Sequence, residues 1–187
     1  MQSGRNKPEA PANGCEDIVI QDNTVYHAHG AFVLGSETIQ GMRRIVVRNN
    51  RFSGTDTGLR FKSGLGRGGK TEQLFISDIV MTDIKDEAIV FQCDYVDRPA
   101  GSDLNAMPTY SDEEKKVAPY FQDIHISNVT CNGTTTGIKA SGILGLNNVK
   151  DIDIQNATIV YHGQGQQIDE KTAQLKLTGV RLLPAKQ

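Results

Sequence analysis

The chain has 187 residues, enough to bury one sizeable core, and its 20 basic and 22 acidic side chains leave a formal charge of −2. That balance excludes a broad electrostatic footprint for nucleic acid or a membrane surface, and no apolar run is long enough to cross a membrane. Aromatic residues make up 6% with no Trp, against 19 Gly, which suits a turn-rich β protein better than a helical bundle.

Residues 1–14, rich in Pro, Gly and charge, read as a loop or frayed end, and the polar opening Met1-Gln2-Ser3-Gly4-Arg5 has no signal-peptide character. Over residues 15–95 the chain repeats itself. Ile18-Val19-Ile20, Ile45-Val46-Val47 and Leu74-Phe75-Ile76 alternate with period 2, so each predicts a strand with one buried face. Each is followed by a second strand opened by Gly or a small residue: Gly30–Leu34, Gly58–Lys62 and Ala88–Gln92. Residues 96–120 interrupt the pattern with Pro99, Pro108, Pro119 and a charged run, and read as an inserted surface loop. Over residues 121–187 the repeat resumes at Ile124-His125-Ile126, Gly137–Ser141, Ile152-Asp153-Ile154 and Leu175-Lys176-Leu177, before a plain tail.

The first strands recur at intervals of 27, 29, 50, 28 and 23 residues, the 50 being one repeat plus the insertion. Five of the six are followed by Asn23, Asn49, Asn128, Asn156 or Gly179 in the turn, and Asp78 stands at the sixth. Stacking aligns Ala31, Leu59, Ile89 and Ile138 in one internal column, and Val33, Phe61, Phe91 and Ala140 in the next. No repeat of this size buries its apolar face alone; stacked repeats share a continuous core. The expected fold class is all-β, a parallel solenoid forming one domain over 1–187. The competing antiparallel sandwich needs strands every 8–12 residues with no long-period register.

Three cysteines, Cys15, Cys93 and Cys131, lack metal-ligand spacing, and an odd number cannot all pair within the chain, so buried free thiols are expected. In Gly58-Leu59-Arg60-Phe61-Lys62, inward Leu59 and Phe61 put Arg60 and Lys62 together on the outer face. Two cations one pleat apart suit an anion, Arg gripping a carboxylate through two parallel hydrogen bonds; an ordinary solvated pair is the competing reading. His27 and His29 lack a third metal ligand at suitable spacing and read as proton handlers or surface residues. Glycoside hydrolysis needs paired carboxylates. None of Asp22, Asp56, Asp83, Asp86, Glu87, Asp94 and Asp97 forms a paired motif beside Arg60 and Lys62, and most read as turn acids.

Residues 13–95 resemble glycoside hydrolase family 28, the polygalacturonases and related pectinases, most closely the bacterial branch. The resemblance rests on His27-Ala28-His29-Gly30-Ala31-Phe32-Val33-Leu34-Gly35-Ser36-Glu37, Gly58-Leu59-Arg60-Phe61-Lys62-Ser63, Gly66-Arg67-Gly68-Gly69 and Glu87-Ala88-Ile89-Val90-Phe91, in that order and spacing. It implies a right-handed, single-stranded parallel β-helix that hydrolyses α-1,4 links to galacturonic acid with inversion and without metal or cofactor. It places the active-site histidine at His29, with Ala28 replacing the first Gly of a Gly-His-Gly motif. It makes Arg60 and Lys62 the carboxylate-binding pair, with Phe61 replacing the Ile of an Arg-Ile-Lys motif, and Tyr95 a substrate contact. The family's acid and base carboxylates lie in Asn-Thr-Asp and Asp-Asp motifs before the histidine, and neither occurs here. The resemblance therefore implies an N-terminally truncated β-helix, inactive alone, with an exposed N-terminal coil prone to self-association. Pectic polysaccharide or galacturonate oligomers are the implied partners, and a secreted or periplasmic place the implied location of the full-length protein. The alternatives are a non-catalytic β-helix that binds acidic polysaccharide, and a purely structural one.

Overall fold

A computed structural model describes residues 1–4, 14–94 and 116–186. In chain order the strands are β1 (Cys15–Gln21), β2 (Thr24–Tyr26), β3 (Gly30–Leu34), β4 (Met42–Ser53), β5 (Thr57–Lys62), β6 (Lys70–Thr82), β7 (Glu87–Gln92), β8 (Tyr120–Phe121), β9 (Ile124–Asn132), β10 (Thr136–Ser141), β11 (Val149–Tyr161), β12 (Gln164–Ile168), β13 (Ala173–Thr178) and β14 (Arg181–Pro184). They form a nine-stranded sheet built on β1, β4, β6, β9, β11 and β13 and a five-stranded sheet in the order β12-β10-β7-β5-β3. Every pairing among the described residues is parallel, which an antiparallel sandwich does not allow.

Each strand pairs with its counterpart one sequence repeat later. Ile18, Ile45, Leu74, Ile124, Ile152 and Leu175 stand in one row across the larger sheet. The 50-residue interval is a single step, since Leu74 pairs directly with Ile124. β-branched residues on the inner face alternate with polar ones outside, so Ile45, Val47, Ile76 and Ile126 are buried while Arg44 and Arg48 are exposed.

The long strands bend where one residue takes a left-handed conformation. Asp22, Asn49, Asp78, Asn128, Asn156 and Gly179 all have φ between 50° and 63°. Asx side chains tolerate that region and Gly has no Cβ to clash. The first corner is therefore Asp22, where the sequence pattern pointed to Asn23, and Asp78 belongs to the series. The side chains ladder from repeat to repeat: Asn156 Nδ2 donates to Asn128 Oδ1 (2.8 Å) and Asn128 Nδ2 to Asp78 Oδ1 (3.0 Å). Asn23 instead donates to the buried Asn50 (3.0 Å).

One register differs from expectation. Gly30 stands opposite Thr57, so Phe32 and Leu34, in place of Ala31 and Val33, align with Leu59 and Phe61 in the core. Matching the two strand-opening glycines shifts β3 by one residue, and a one-residue shift exchanges its faces. The observed register buries the larger pair, Phe32 and Leu34, which gains more apolar burial than Ala31 and Val33 would.

Met1–Gly4 runs beside the end of β3: Gly35 N donates to Met1 O (2.8 Å) and Ser3 N to Glu37 O (2.8 Å). The rest of the expected loop 1–14, up to residue 13, lies outside the described residues, as does most of the expected insertion 96–120. Its return leg packs on the glycine run after β5. A Cβ on Gly68 would lie 1.9 Å from Pro119 N, so only Gly fits there. All three cysteines are free. Burial pushes both the Cys93 and Cys131 thiols up, that of Cys131 to about 12.

Candidate active site

The five-stranded sheet presents the candidate residues on its outer face. On β5, Leu59 and Phe61 are fully buried, which turns half-buried Arg60 and Lys62 outward together. Phe61 fixes the strand from beneath. Its ring stacks on Phe91 at 4.4 Å between centroids and meets Phe32 and Phe121 edge-on at 6.2 and 6.1 Å. The Gly35 turn abuts Lys62: a Cβ on Gly35 would lie 1.7 Å from Lys62 O, and its φ of 103° also demands Gly.

His29 immediately precedes β3, as Asp56 immediately precedes β5, and the register places the two side by side. Asp56 N donates to Ala28 O (2.9 Å) and Thr57 N to His29 O (3.3 Å), which ties the two turns together. His29 Nδ1 lies 2.8 Å from Asp56 Oδ2, and His29 Nε2 lies 3.3 Å from Arg60 Nη1. From the next repeat, Lys85 Nζ donates to Asp56 Oδ1 at 2.8 Å. The Lys85 ammonium first, and the His29 imidazole second, hold the Asp56 carboxyl below the usual carboxylate range. In return Asp56 raises Lys85.

The structure thus brings His29, Arg60 and Lys62 to one face of one sheet. Tyr95 lies outside the described residues. His27 stays out of the cluster: it sits at a left-handed corner with φ 49°, its ring packed over Gly54. Asp56 is the residue that sequence reasoning missed. It occupies a turn, as expected, but its side chain belongs to the cluster. The available signal was that Asp56 follows His29 by about the length of one repeat. Among the described residues no group of His, Cys, Asp and Glu has the arrangement of a metal site.

Chemically, the cluster sets two outward cations on one strand beside an imidazole that contacts the Arg60 guanidinium, an arrangement able to attract an anion. Among the described residues, the carboxylate bonded to that imidazole is that of Asp56, held ionised between Lys85 and His29. It is suited to orienting His29 and unsuited to donating a proton.

The chain is similar to known proteins over most of its length. It is 30% identical over 131 residues to an exo-poly-alpha-D-galacturonosidase of Dickeya chrysanthemi, covering 70% of this chain and 20% of that protein. It is 28% identical over 134 residues to a polygalacturonase of Ralstonia nicotianae, covering 70% of this chain and 22% of that protein. The crystal structure of a hyperthermoactive exopolygalacturonase from Thermotoga maritima superimposes with a TM-score of 0.70 at 26% identity, over 88% of this chain and 34% of that one. The chain therefore spans about a fifth of the length of these relatives and about a third of the solved structure. The family model described as glycosyl hydrolases family 28 matches residues 10–172, which takes in the His29 turn, the Arg60–Lys62 strand and every strand of the two sheets except β13 and β14, and the chain belongs to that family.

Proposed function

We propose that the chain is part of a right-handed parallel β-helix and supplies the carboxylate-gripping side of a pectin-hydrolysing site. Parallel crossovers are right-handed in nearly all known cases, which supports the handedness. The observation that carries the functional reading is the outward pairing of Arg60 and Lys62 on β5, with His29 Nε2 3.3 Å from the Arg60 guanidinium. A galacturonosyl unit has a carboxylate for Arg60 to hold bidentately and Lys62 to neutralise, and hydroxyls within reach of an imidazole. The family and the polygalacturonase relatives support galacturonan as the polymer.

Inverting hydrolysis needs a proton-bearing acid and a base carboxylate on opposite sides of the bond, roughly 6.5–9.5 Å apart. Asp56, which among the described residues is the carboxylate bonded to His29, is ionised and ion-paired to Lys85, so it does not meet the requirement for the acid. On this reading the 187 residues by themselves bind galacturonate oligomers and do not cleave them. A purely structural solenoid binds nothing.

Calorimetry with galacturonate trimers, paired with a reducing-sugar assay on the same sample, tests this. Binding without hydrolysis is expected, and replacing Arg60 and Lys62 by Ala is expected to abolish it. Binding unchanged in that double variant overturns the carboxylate-grip reading. Hydrolysis by the purified chain, with contamination excluded, overturns the reading that it binds without cleaving.

A further inference from the structure

The two ring nitrogens of His29 face partners of opposite character. Nδ1 lies 2.8 Å from Asp56 Oδ2, an ionised carboxylate that can only accept. Nε2 lies 3.3 Å from Arg60 Nη1, a guanidinium that can only donate. One arrangement satisfies both: a neutral imidazole with its proton on Nδ1 and its lone pair on Nε2. The other tautomer sets a lone pair against the carboxylate and an N–H against the guanidinium, and the imidazolium also sets an N–H against the guanidinium.

Asp56 is itself held in place. Lys85 Nζ takes its other oxygen at 2.8 Å, leaving Oδ2 turned toward His29. Its backbone is pinned on both sides, since Asp56 N donates to Ala28 O (2.9 Å) and Asp86 N donates to Asp56 O (2.8 Å). The carboxylate therefore sits on the middle of three adjacent rungs, between the histidine of one repeat and the lysine of the next.

We propose that Asp56, backed by Lys85, is a positioning residue that locks His29 in the Nδ1–H tautomer, and that Arg60 caps the Nε2 lone pair until the carboxylate of an anionic sugar draws the guanidinium away. Occupancy of the anion grip then converts a capped nitrogen into a proton acceptor facing the sugar. No covalent bond changes, and the Nδ1 proton stays where it is. The second half of this inference rests on the carboxylate-grip reading of Arg60 and Lys62; the first half does not.

The test is a long-range proton–nitrogen NMR spectrum of the imidazoles in the 15N-labelled full chain. The chain has 4 His, and the His29 signals are those lost in His29→Gln. In the free protein, Nδ1 is expected to resonate as a protonated nitrogen and Nε2 as an unprotonated one. In Asp56→Ala the ratio of Nδ1–H to Nε2–H is expected to fall by about tenfold, the scale of one charge-assisted hydrogen bond. Lys85→Met leaves the carboxylate in place and is expected to lower the ratio less; it carries the test if Asp56→Ala fails to fold by circular dichroism. A free protein with the proton on Nε2, or a ratio unchanged in both variants, overturns the lock. Galacturonate trimer is then expected to move the Nε2 resonance and leave Nδ1 in place. Calorimetric binding with Nε2 unmoved overturns the cap. No calorimetric binding means instead that the carboxylate-grip reading has failed, while the lock is still decided by the ligand-free spectra.

Discussion

Truncating Phe61 to Ala removes the ring directly beneath the two cations. Phe61 is fully buried, stacked on Phe91 at 4.4 Å with 6° between the planes, and flanked edge-on by Phe32 and Phe121. Deleting a buried Phe ring costs about 3–5 kcal/mol in all, a total that includes about 0.5–1.5 kcal/mol for each lost aromatic pair. The cavity cannot close easily, because hydrogen bonding to β3 and β7 holds β5 about 4.8 Å from each. The loss should therefore lie near the upper end, about 5 kcal/mol, or roughly 10–20 °C in melting temperature for a chain of this size. Phe61→Leu fills most of the space but loses the three ring pairs, and should cost about 2–3 kcal/mol. Urea unfolding followed by circular dichroism measures both, with the slope against denaturant checking that the unfolded state is unchanged. A Phe61→Ala loss below about 2 kcal/mol at constant slope would refute the argument that the strand spacing keeps the cavity open.

Two further outcomes follow from the corner residues. Asn128→Ala leaves a Cβ at φ 55° without the Asx side chain and breaks the bonds to Asp78 and Asn156, so a loss of about 2 kcal/mol is expected; Asn128→Gly should lose about half as much, and equal losses in the two variants would count against backbone strain. The Asp78 carboxyl is held below its usual range by Asn128 first and Ser77 second. Its contribution is complete above the unfolded carboxylate value of about 4 and is lost as pH falls through the lower folded value. Asp78→Asn removes that dependence, so urea midpoints between about pH 4 and pH 2 should fall less steeply than in the parent chain; parallel profiles would remove Asp78 from the acid response.

The row through Ile18, Ile45, Leu74, Ile124, Ile152 and Leu175 was legible in the sequence because each segment carries its own alternation, which fixes its inner face without reference to a neighbour. The second strand of each repeat is shorter, and alternation alone leaves its register to the preceding turn. Aligning Gly30 with Gly58 was a choice about the turn. The burial of Phe32 and Leu34 decided it the other way. The first corner was mislaid for a related reason: Asp22 and Asn23 are both suited to a left-handed turn, and composition does not choose between neighbours.

The candidate site divides along the same line. Arg60 and Lys62 lie on one strand, so the pleat alone puts them on one face and the sequence shows it. His29, Asp56 and Lys85 belong to three different repeats and meet only because their turns are stacked in register. A residue added to the turn before Asp56 would leave every strand's alternation intact and still turn the carboxylate away from His29. Strand motifs in a stacked-repeat fold are thus written locally, while the contacts between motifs are written in the lengths of the turns. That is why an aspartate that reads as a turn residue on its own repeat becomes, one rung away from the histidine, part of the candidate site.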